Sequence, residues 1–286
     1  MAPHGVLVLD KPEGVSSASA VEKIKRALGA KRAGHGGTLD PMATGVLCVC
    51  LGEATKISSY LLADDKAYIA EGLLGVATDT LDRTGTVTET REVSVTRQQL
   101  VAAIAARRGE QDQIPPMFSA LKQNGERLYR RARAGEVVDR ASRKIRVDRL
   151  ELVAFDPPRF TVEIGCSKGT YVRSLVADLG VDVGTCAHLT ALRRTRSGRF
   201  TLAHAVRLEA AAAATLIPLP EATELPRIVA EDELLPKIRN GVQLPVEVFG
   251  AENLKQFQLL DGQGRLLAIV HDHEGHVVYD RVFLPA

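Results

Sequence analysis

The spacing of apolar positions changes along the chain, and each change marks an element. Residues 5–10 (GVLVLD) form a short β-branched run closed by Lys11-Pro12-Glu13-Gly14, which predicts a strand entering a turn. Val21, Ile24 and Leu28 then recur at helical spacing behind Ser16 and Ser17, either of which can cap a helix that runs through Leu28. Residues 34–44 are glycine-rich and interrupted by Asp40-Pro41, the pattern of a loop. Residues 46–51 (VLCVCL) are an unbroken apolar run and predict a buried strand. Residues 56–62 read as a helix, 68–74 as a strand and 96–108 as a helix with an Ala/Ile/Leu face. Pro115-Pro116 makes 113–118 irregular. A short basic helix is expected at 128–134, two strands at 145–155 and 160–166, a helix at 171–179 and an alanine-rich helix at 208–216.

Strands and helices mix here without a regular βα alternation. That predicts an α+β fold with a mixed, mostly antiparallel sheet. Pro218, Pro220 and Pro226 lie among acidic residues and place a domain boundary between a large unit, 1–220, and a small one, 226–286. The small unit reads as all-β, with strands expected at 242–249, 266–272 and 276–283.

Composition narrows the class. The chain has 286 residues, 45% hydrophobic and 25% charged, which excludes wholesale disorder. No apolar run reaches the roughly 18 residues of a membrane span, and residues 1–10 are too short and too soon charged for a secretory signal. Cys48, Cys50, Cys166 and Cys186 are scattered without a C-x-x-C pair, so the reading is a cytoplasmic chain with reduced thiols and no disulfide framework. Cys48 and Cys50 are read as buried core residues on opposite strand faces rather than as metal ligands, and His271, His273 and His276 as surface residues.

The net charge of +2 hides an asymmetry: residues 221–286 carry 11 acids and 6 bases, and the rest of the chain has the basic excess. That excess peaks at Arg127, Arg130, Arg131, Arg133, Arg140, Arg143, Lys144, Arg146 and Arg149, with a second cluster at Arg193, Arg194, Arg196 and Arg199. Such a surface suits a polyanion, and solvated helix faces account for the same charges equally well.

No phosphate-binding P-loop, no dinucleotide fingerprint and no nucleophile elbow is present. The informative stretch is Gly34-His35-Gly36-Gly37-Thr38-Leu39-Asp40-Pro41-Met42-Ala43-Thr44-Gly45. Its glycines allow close backbone approach, and Pro41 biases Asp40 away from the α region. Asp40 is then either the start of an Asx-Pro turn or a carboxylate held for chemistry, ionised at neutral pH and able to act as a nucleophile without a base. In Gly169-Thr170-Tyr171-Val172-Arg173, Arg173 falls in a first helical turn, from which it can pair with a carboxylate. Tyr68, in Lys66-Ala67-Tyr68, enters a strand and by itself reads as a packing residue.

Taken in order, these motifs resemble the TruB type of tRNA pseudouridine synthase. The resemblance runs through Val8-Leu9-Asp10-Lys11-Pro12, the G-H-x-G-x-L-D-P-x-A-x-G-V-L pattern from Gly34 to Leu47, Leu51-Gly52-Glu53-Ala54-Thr55-Lys56, Lys66-Ala67-Tyr68 and Thr78-Asp79-Thr80 with Asp82. It continues through Gln113-x-Pro115-Pro116-x-Phe118-Ser119-Ala120-x-Lys122, Gly169 to Ser174, and Leu192-Arg193-Arg194. It covers about 1–220 strongly, while 226–286 is only weakly similar to the family's small RNA-binding appendage of PUA type. The resemblance implies isomerisation of uridine 55 in the T loop of tRNA, without metal or cofactor.

Residue by residue, it implies that Asp40 is the catalytic aspartate, that Tyr68 stacks on the target base and is a candidate to take a proton, and that Arg173 pairs with the aspartate. His35, Tyr171 and Leu192 are expected to line the substrate pocket. An insertion at about 109–149 is expected to grip RNA, and its part from Arg127 to Arg149 is expected to be mobile without RNA. Removing 226–286 is expected to weaken affinity more than rate. The expected partner is the tRNA T-stem loop, met by a monomer with no obligate protein partner and no membrane. The alternative is a non-catalytic RNA-binding or RNA-folding protein, which has no use for Asp40, Tyr68 and Arg173 as a set.

Overall fold

The computed structural model describes residues 3–119, 121–123, 125–133, 136 and 138–283. The first half contributes β1 (Gly5–Lys11), α1 (Ser17–Ala27), β2 (Ala33–His35), β3 (Thr44–Leu51), α2 (Ser58–Ala63), β4 (Lys66–Leu74), β5 (Val76–Thr78), β6 (Val87–Thr90), α3 (Arg97–Ala106) and β7 (Gly109–Gln113). Next come β8 (Lys122–Gln123), β9 (Glu126–Arg127), α4 (Leu128–Arg133), β10 (Arg143–Asp156), β11 (Arg159–Cys166), α5 (Val172–Asp182), β12 (Ala187–Ser197), β13 (Phe200–Thr201) and β14 (Val206–Arg207). The chain ends with β15 (Arg227–Val229), α6 (Leu235–Arg239), β16 (Gln256–Leu260), β17 (Leu266–His273) and β18 (His276–Val282).

The main sheet runs β14-β1-β3-β12-β4-β11-β10-β7, with β2 added to β3 and β13 to β12. Only β1–β14 and β3–β12 are parallel among its pairs, so the sheet is mixed and mostly antiparallel, as expected. The predicted turn around Pro157-Pro158 joins β10 to β11 as an antiparallel pair.

The unbroken apolar run in β3 has a physical cause. Both faces of the sheet's centre are covered, so alternate residues enter two different cores. Leu7, Leu9, Leu47, Val49 and Leu51 pack with Ile24 of α1 and Leu175, Val176 and Leu179 of α5. Val6, Val8, Val46, Cys48 and Cys50 face the other way, against Leu260, Leu266, Ile269 and Phe283 from the C-terminal part. This corrects the expectation for the two cysteines: residues two apart on a strand share a face, so Cys48 and Cys50 lie in one cluster. Both are buried and free.

The C-terminal sheet runs β15-β16-β17-β18 and begins just after Pro226. Two expectations change here. Residues 246–249 form a 3-10 turn rather than a strand, and the strand Gln256–Leu260 supplies the sheet's interior instead. The sheet also shares a core with β1 and β3, so it is not an appendage held by a linker alone.

Elsewhere, the expected helix at 56–62 is a 3-10 turn followed by α2, and 208–216 forms only a 3-10 turn at 208–213. β12 was not expected at all. Its second half, with Arg193, Arg194 and Arg196, reads as a basic cluster, yet it pairs with β4 along its whole length. The segment expected to grip RNA includes residues 120, 124, 134, 135 and 137, which lie outside the described residues, and its expected mobility is not addressed by them.

Candidate active site

Asp40 sits on the loop between β2 and β3, and the turn after β1 pins that loop. Ser17 Oγ accepts from the Leu39 amide and donates to the Leu39 carbonyl, both at 2.8 Å. The Gly14 amide donates to the Pro41 carbonyl at 2.8 Å. Lys11 is wholly buried, and its Nζ donates to the carbonyls of Pro12 (2.8 Å), Val15 (2.6 Å) and Pro41 (3.3 Å). Burial draws its ammonium down to about 8, against the pull of Asp40 and Glu13. On the far side of the loop, Thr44 and Gly45 meet Arg193 and Arg194 in a short parallel pairing. Gly45 has φ +100°, and a Cβ there would stand 2.2 Å from the Arg194 carbonyl oxygen, so only glycine fits.

Arg173 reaches Asp40 from the first turn of α5. Its Nε donates to Asp40 Oδ2 at 3.0 Å, and Nη2 lies 3.5 Å from Oδ1. The guanidinium is 4% exposed and is fixed by the carbonyls of Thr80 and Phe118, each at 2.8 Å. Asp82 Oδ2 lies 3.6 Å from Nη1, while its other oxygen accepts from the Thr80 hydroxyl and from the amide and hydroxyl of Thr84. Asp40 remains 36% exposed at the side chain, open to a cavity of about 620 Å³. Burial pushes its carboxyl above the ordinary value, Arg173 pulls it back, and the like charge of Asp82 adds to the rise.

Tyr68 and Leu192, on the neighbouring strands β4 and β12, wall this cavity, and Tyr171 closes another side. Burial raises the Tyr68 phenol, with the Arg194 guanidinium beside it opposing, so the group stays neutral. Five of the six expected residues therefore meet. The sixth, His35, does not line the cavity: it is half-buried on β2, paired with Val49. Burial and Arg194 lower its pKa, so its ring is neutral. Its place on β2, which the glycine-rich pattern disguised as loop, puts it beside Arg194 rather than on the cavity wall.

Two residues that the motifs contain but that were not expected to line the cavity complete the site. Arg194, 1% exposed, lines the cavity and donates to the carbonyls of Val46 (2.6 Å) and Gly37 (3.1 Å). Lys66 lines it too, donating to the Leu61, Leu62 and Asp64 carbonyls, and burial lowers it to about 8. Each buried charge is met by backbone oxygens, as burial demands. The signal that could have found them is a base at an inward position of an alternating strand. Among the described residues no group of three metal-ligating side chains gathers.

The model of the TruB family pseudouridylate synthase N-terminal domain matches residues 25–172, more than half of the chain. This chain belongs to the TruB family. The model of the tRNA pseudouridylate synthase B C-terminal domain follows at residues 173–231. The chain is 53% identical over 205 residues to tRNA pseudouridine synthase B of Pseudomonas paraeruginosa, covering 72% of this chain and 67% of that one. It is 44% identical over 281 residues to the Vibrio atlanticus protein of the same name, covering 92% and 88%. Among solved structures, a chain of a Cbf5-Nop10-Gar1 complex superposes with a TM-score of 0.76 at 26% identity, over 99% of this chain and 85% of that one.

Proposed function

We propose that this chain is a tRNA pseudouridine synthase that isomerises uridine 55 of the T loop, with Asp40 as its catalytic carboxylate. The observation that carries the reading is the arrangement at the cavity: one carboxylate, paired with Arg173 and still partly exposed, in a cavity that Tyr68 and Leu192 also line. The relatives named above supply the substrate class, tRNA.

The reaction conserves composition. The N1–C1′ bond breaks, the uracil turns, and a C5–C1′ bond forms. The C5 hydrogen leaves as a proton and N1 gains one. Attack by the carboxylate on C1′, attack on C6, and assisted loss of the base all place it beside the ribose–base bond. Arg173 serves each route by keeping the carboxylate charged and aimed, since the paired guanidinium favours the ionised form. The base must leave its stack to enter, a cost of a few kcal/mol that stacking and phosphate contacts offset. Tyr68 suits stacking better than proton transfer, because a neutral phenol is a poor acceptor. Leu192 helps exclude water from the reacting bond. The same reading makes the chain a cytoplasmic enzyme that acts as a monomer.

The test uses tRNA carrying tritium at uridine C5. Wild-type protein should release the label. Asp40→Asn should lower the rate at least about a thousandfold, roughly 4 kcal/mol, while tRNA binding stays within about tenfold. Bound tRNA with no release by either protein would favour the binding-protein alternative instead.

A further inference from the structure

Gln113 is the last residue of β7 and Arg143 the first of β10, and they stand opposite one another in the ladder between those strands. The chain leaves the sheet after one and returns at the other, enclosing the basic segment 114–142. Both side chains of this cross-strand pair reach a third element. Gln113 Nε2 donates to the Tyr171 carbonyl at 3.0 Å, and its Oε1 accepts from the Tyr171 amide at 2.8 Å. The Arg143 guanidinium lies 4.6 Å from the centroid of the Tyr171 ring and donates to the Gly169 carbonyl.

Tyr171 is the N-cap residue of α5 and makes no side-chain cap, so the helix start is held from outside. Arg173 lies two residues on. We propose that Gln113 is a positioning residue for the isomerisation: by clamping both polar groups of residue 171 it sets the first turn of α5 so that Arg173 meets Asp40. The proposal rests on the synthase reading above.

A carboxamide carries one donor edge and one acceptor, spaced to match the amide and carbonyl of a single residue in an extended chain. The donating Tyr171 amide fixes which end of the Gln113 side chain is oxygen. Gln113 is 4% exposed, so water cannot replace a lost bond cheaply. Catalytic geometry is unforgiving: a displacement of about 1 Å costs on the order of a hundredfold in rate. Arg173 is held by the Phe118 carbonyl as well, and Phe118 lies on the segment that leaves the sheet at Gln113. The root of that segment and the catalytic ion pair are thus joined at two points.

Two variants separate positioning from bulk stability. Gln113→Met keeps the size and loses both bonds. Gln113→Glu keeps both bonds when protonated. When ionised it keeps the acceptor but sets a negative oxygen against the Tyr171 carbonyl. Single-turnover tritium release at saturating tRNA is measured for each at pH 6 and pH 8.5, with tRNA affinity and Tm alongside. The expected result for Gln113→Met is a rate at least tenfold below wild type at both pH values, with the tRNA Kd within threefold. For Gln113→Glu, the rate at pH 8.5, where the carboxyl is ionised, should lie severalfold below wild type. A Met variant within twofold of wild type, a loss confined to Kd, or a Glu variant as fast as wild type at pH 8.5 would each overturn the proposal. If Gln113→Met does not fold, Gln113→Glu followed across pH carries the test alone. Release by wild type and none by Asp40→Asn keeps the synthase reading standing whatever Gln113 does. No release by wild type would remove both.

Discussion

The floor of the cavity and the junction between the two sheets lie on nearby strands and are buried in opposite ways. At the cavity and behind its Asp40 loop, Lys66, Arg173, Arg194 and Lys11 carry charge into the interior, and each is met by backbone carbonyls at fixed distances. At the junction, Val6, Val8, Val46 and Cys48 meet Leu260, Leu266, Ile269 and Phe283 in an apolar cluster, with Lys56 over the Phe283 ring. The first kind of burial stabilises little in net, because desolvation offsets most of the gain, yet it fixes positions closely. The second kind stabilises in proportion to the area covered and tolerates small shifts. One region defines geometry, then, and the other keeps the strands that carry it in place.

The sharpest way to break this contrast is at the junction. Beside any part it has in affinity, 226–286 covers one face of β1 and β3, which cutting before Arg227 would lay bare. A gentler probe is Ile269→Ala, at a residue with no exposure. Loss of the side chain and the cavity left behind should cost about 2–5 kcal/mol of unfolding free energy. Single-turnover rate at saturating tRNA should stay within about twofold of wild type. A large loss of rate with little loss of stability, in denaturant titration, would show that the junction shapes the site directly.

Much of this was legible in sequence. The turn after β1, the Asp40 loop, Tyr68 and Arg173 each carry residue types whose chemistry or backbone demands are local. β12 was hidden because Arg193, Arg194 and Arg196 look like a solvated face, and only the tertiary fold supplies the carbonyls that let Arg194 be buried. Gln113 was hidden for the same reason: its partner lies 58 positions away, and a glutamine before two prolines carries no mark of what it will clamp. β16 is hidden because its run QFQLL is too short to separate from the turns around it.

A second test concerns the cavity's electrostatics. Asp40 is pushed upward by burial first, with the Arg173 pair opposing and Asp82 adding to the rise. A carboxyl with a raised pKa takes up its proton at a higher pH than usual, and only the ionised form is competent. The acid limb of the single-turnover rate should therefore lie above the ordinary aspartate range of about 3.9. The same sign applies to stability. The folded state binds this proton more tightly than the unfolded chain does, so ionisation weakens the fold as pH rises through that range. Asp40→Asn should then melt at or above the wild-type Tm at pH 7. A limb at or below pH 4, together with a lower Tm for Asp40→Asn, would mean that the Arg173 pair outweighs burial.

The smallest effect expected is at the cavity mouth, and it separates two kinds of surface base. Arg131 pairs with Glu136 at 2.7 Å, and Arg149 bridges Glu151 and Glu163 at 2.8 and 3.1 Å. Lys144 and Lys168 are exposed and line the cavity opening, and Lys144 makes a long pair, 3.3 Å, with the exposed Asp112. A phosphate approaching the cavity meets those two lysines, whereas Arg149 already has its charge answered by two carboxylates. Each phosphate contact contributes about 0.7–0.9 to the slope of log affinity against log salt. Lys144→Gln with Lys168→Gln should lower that slope for tRNA by up to roughly twice this amount. Arg149→Gln should leave it unchanged. Equal slopes for the lysine double variant and wild type, with Arg149→Gln reduced, would move the RNA path off the cavity mouth and onto the outer face of β10.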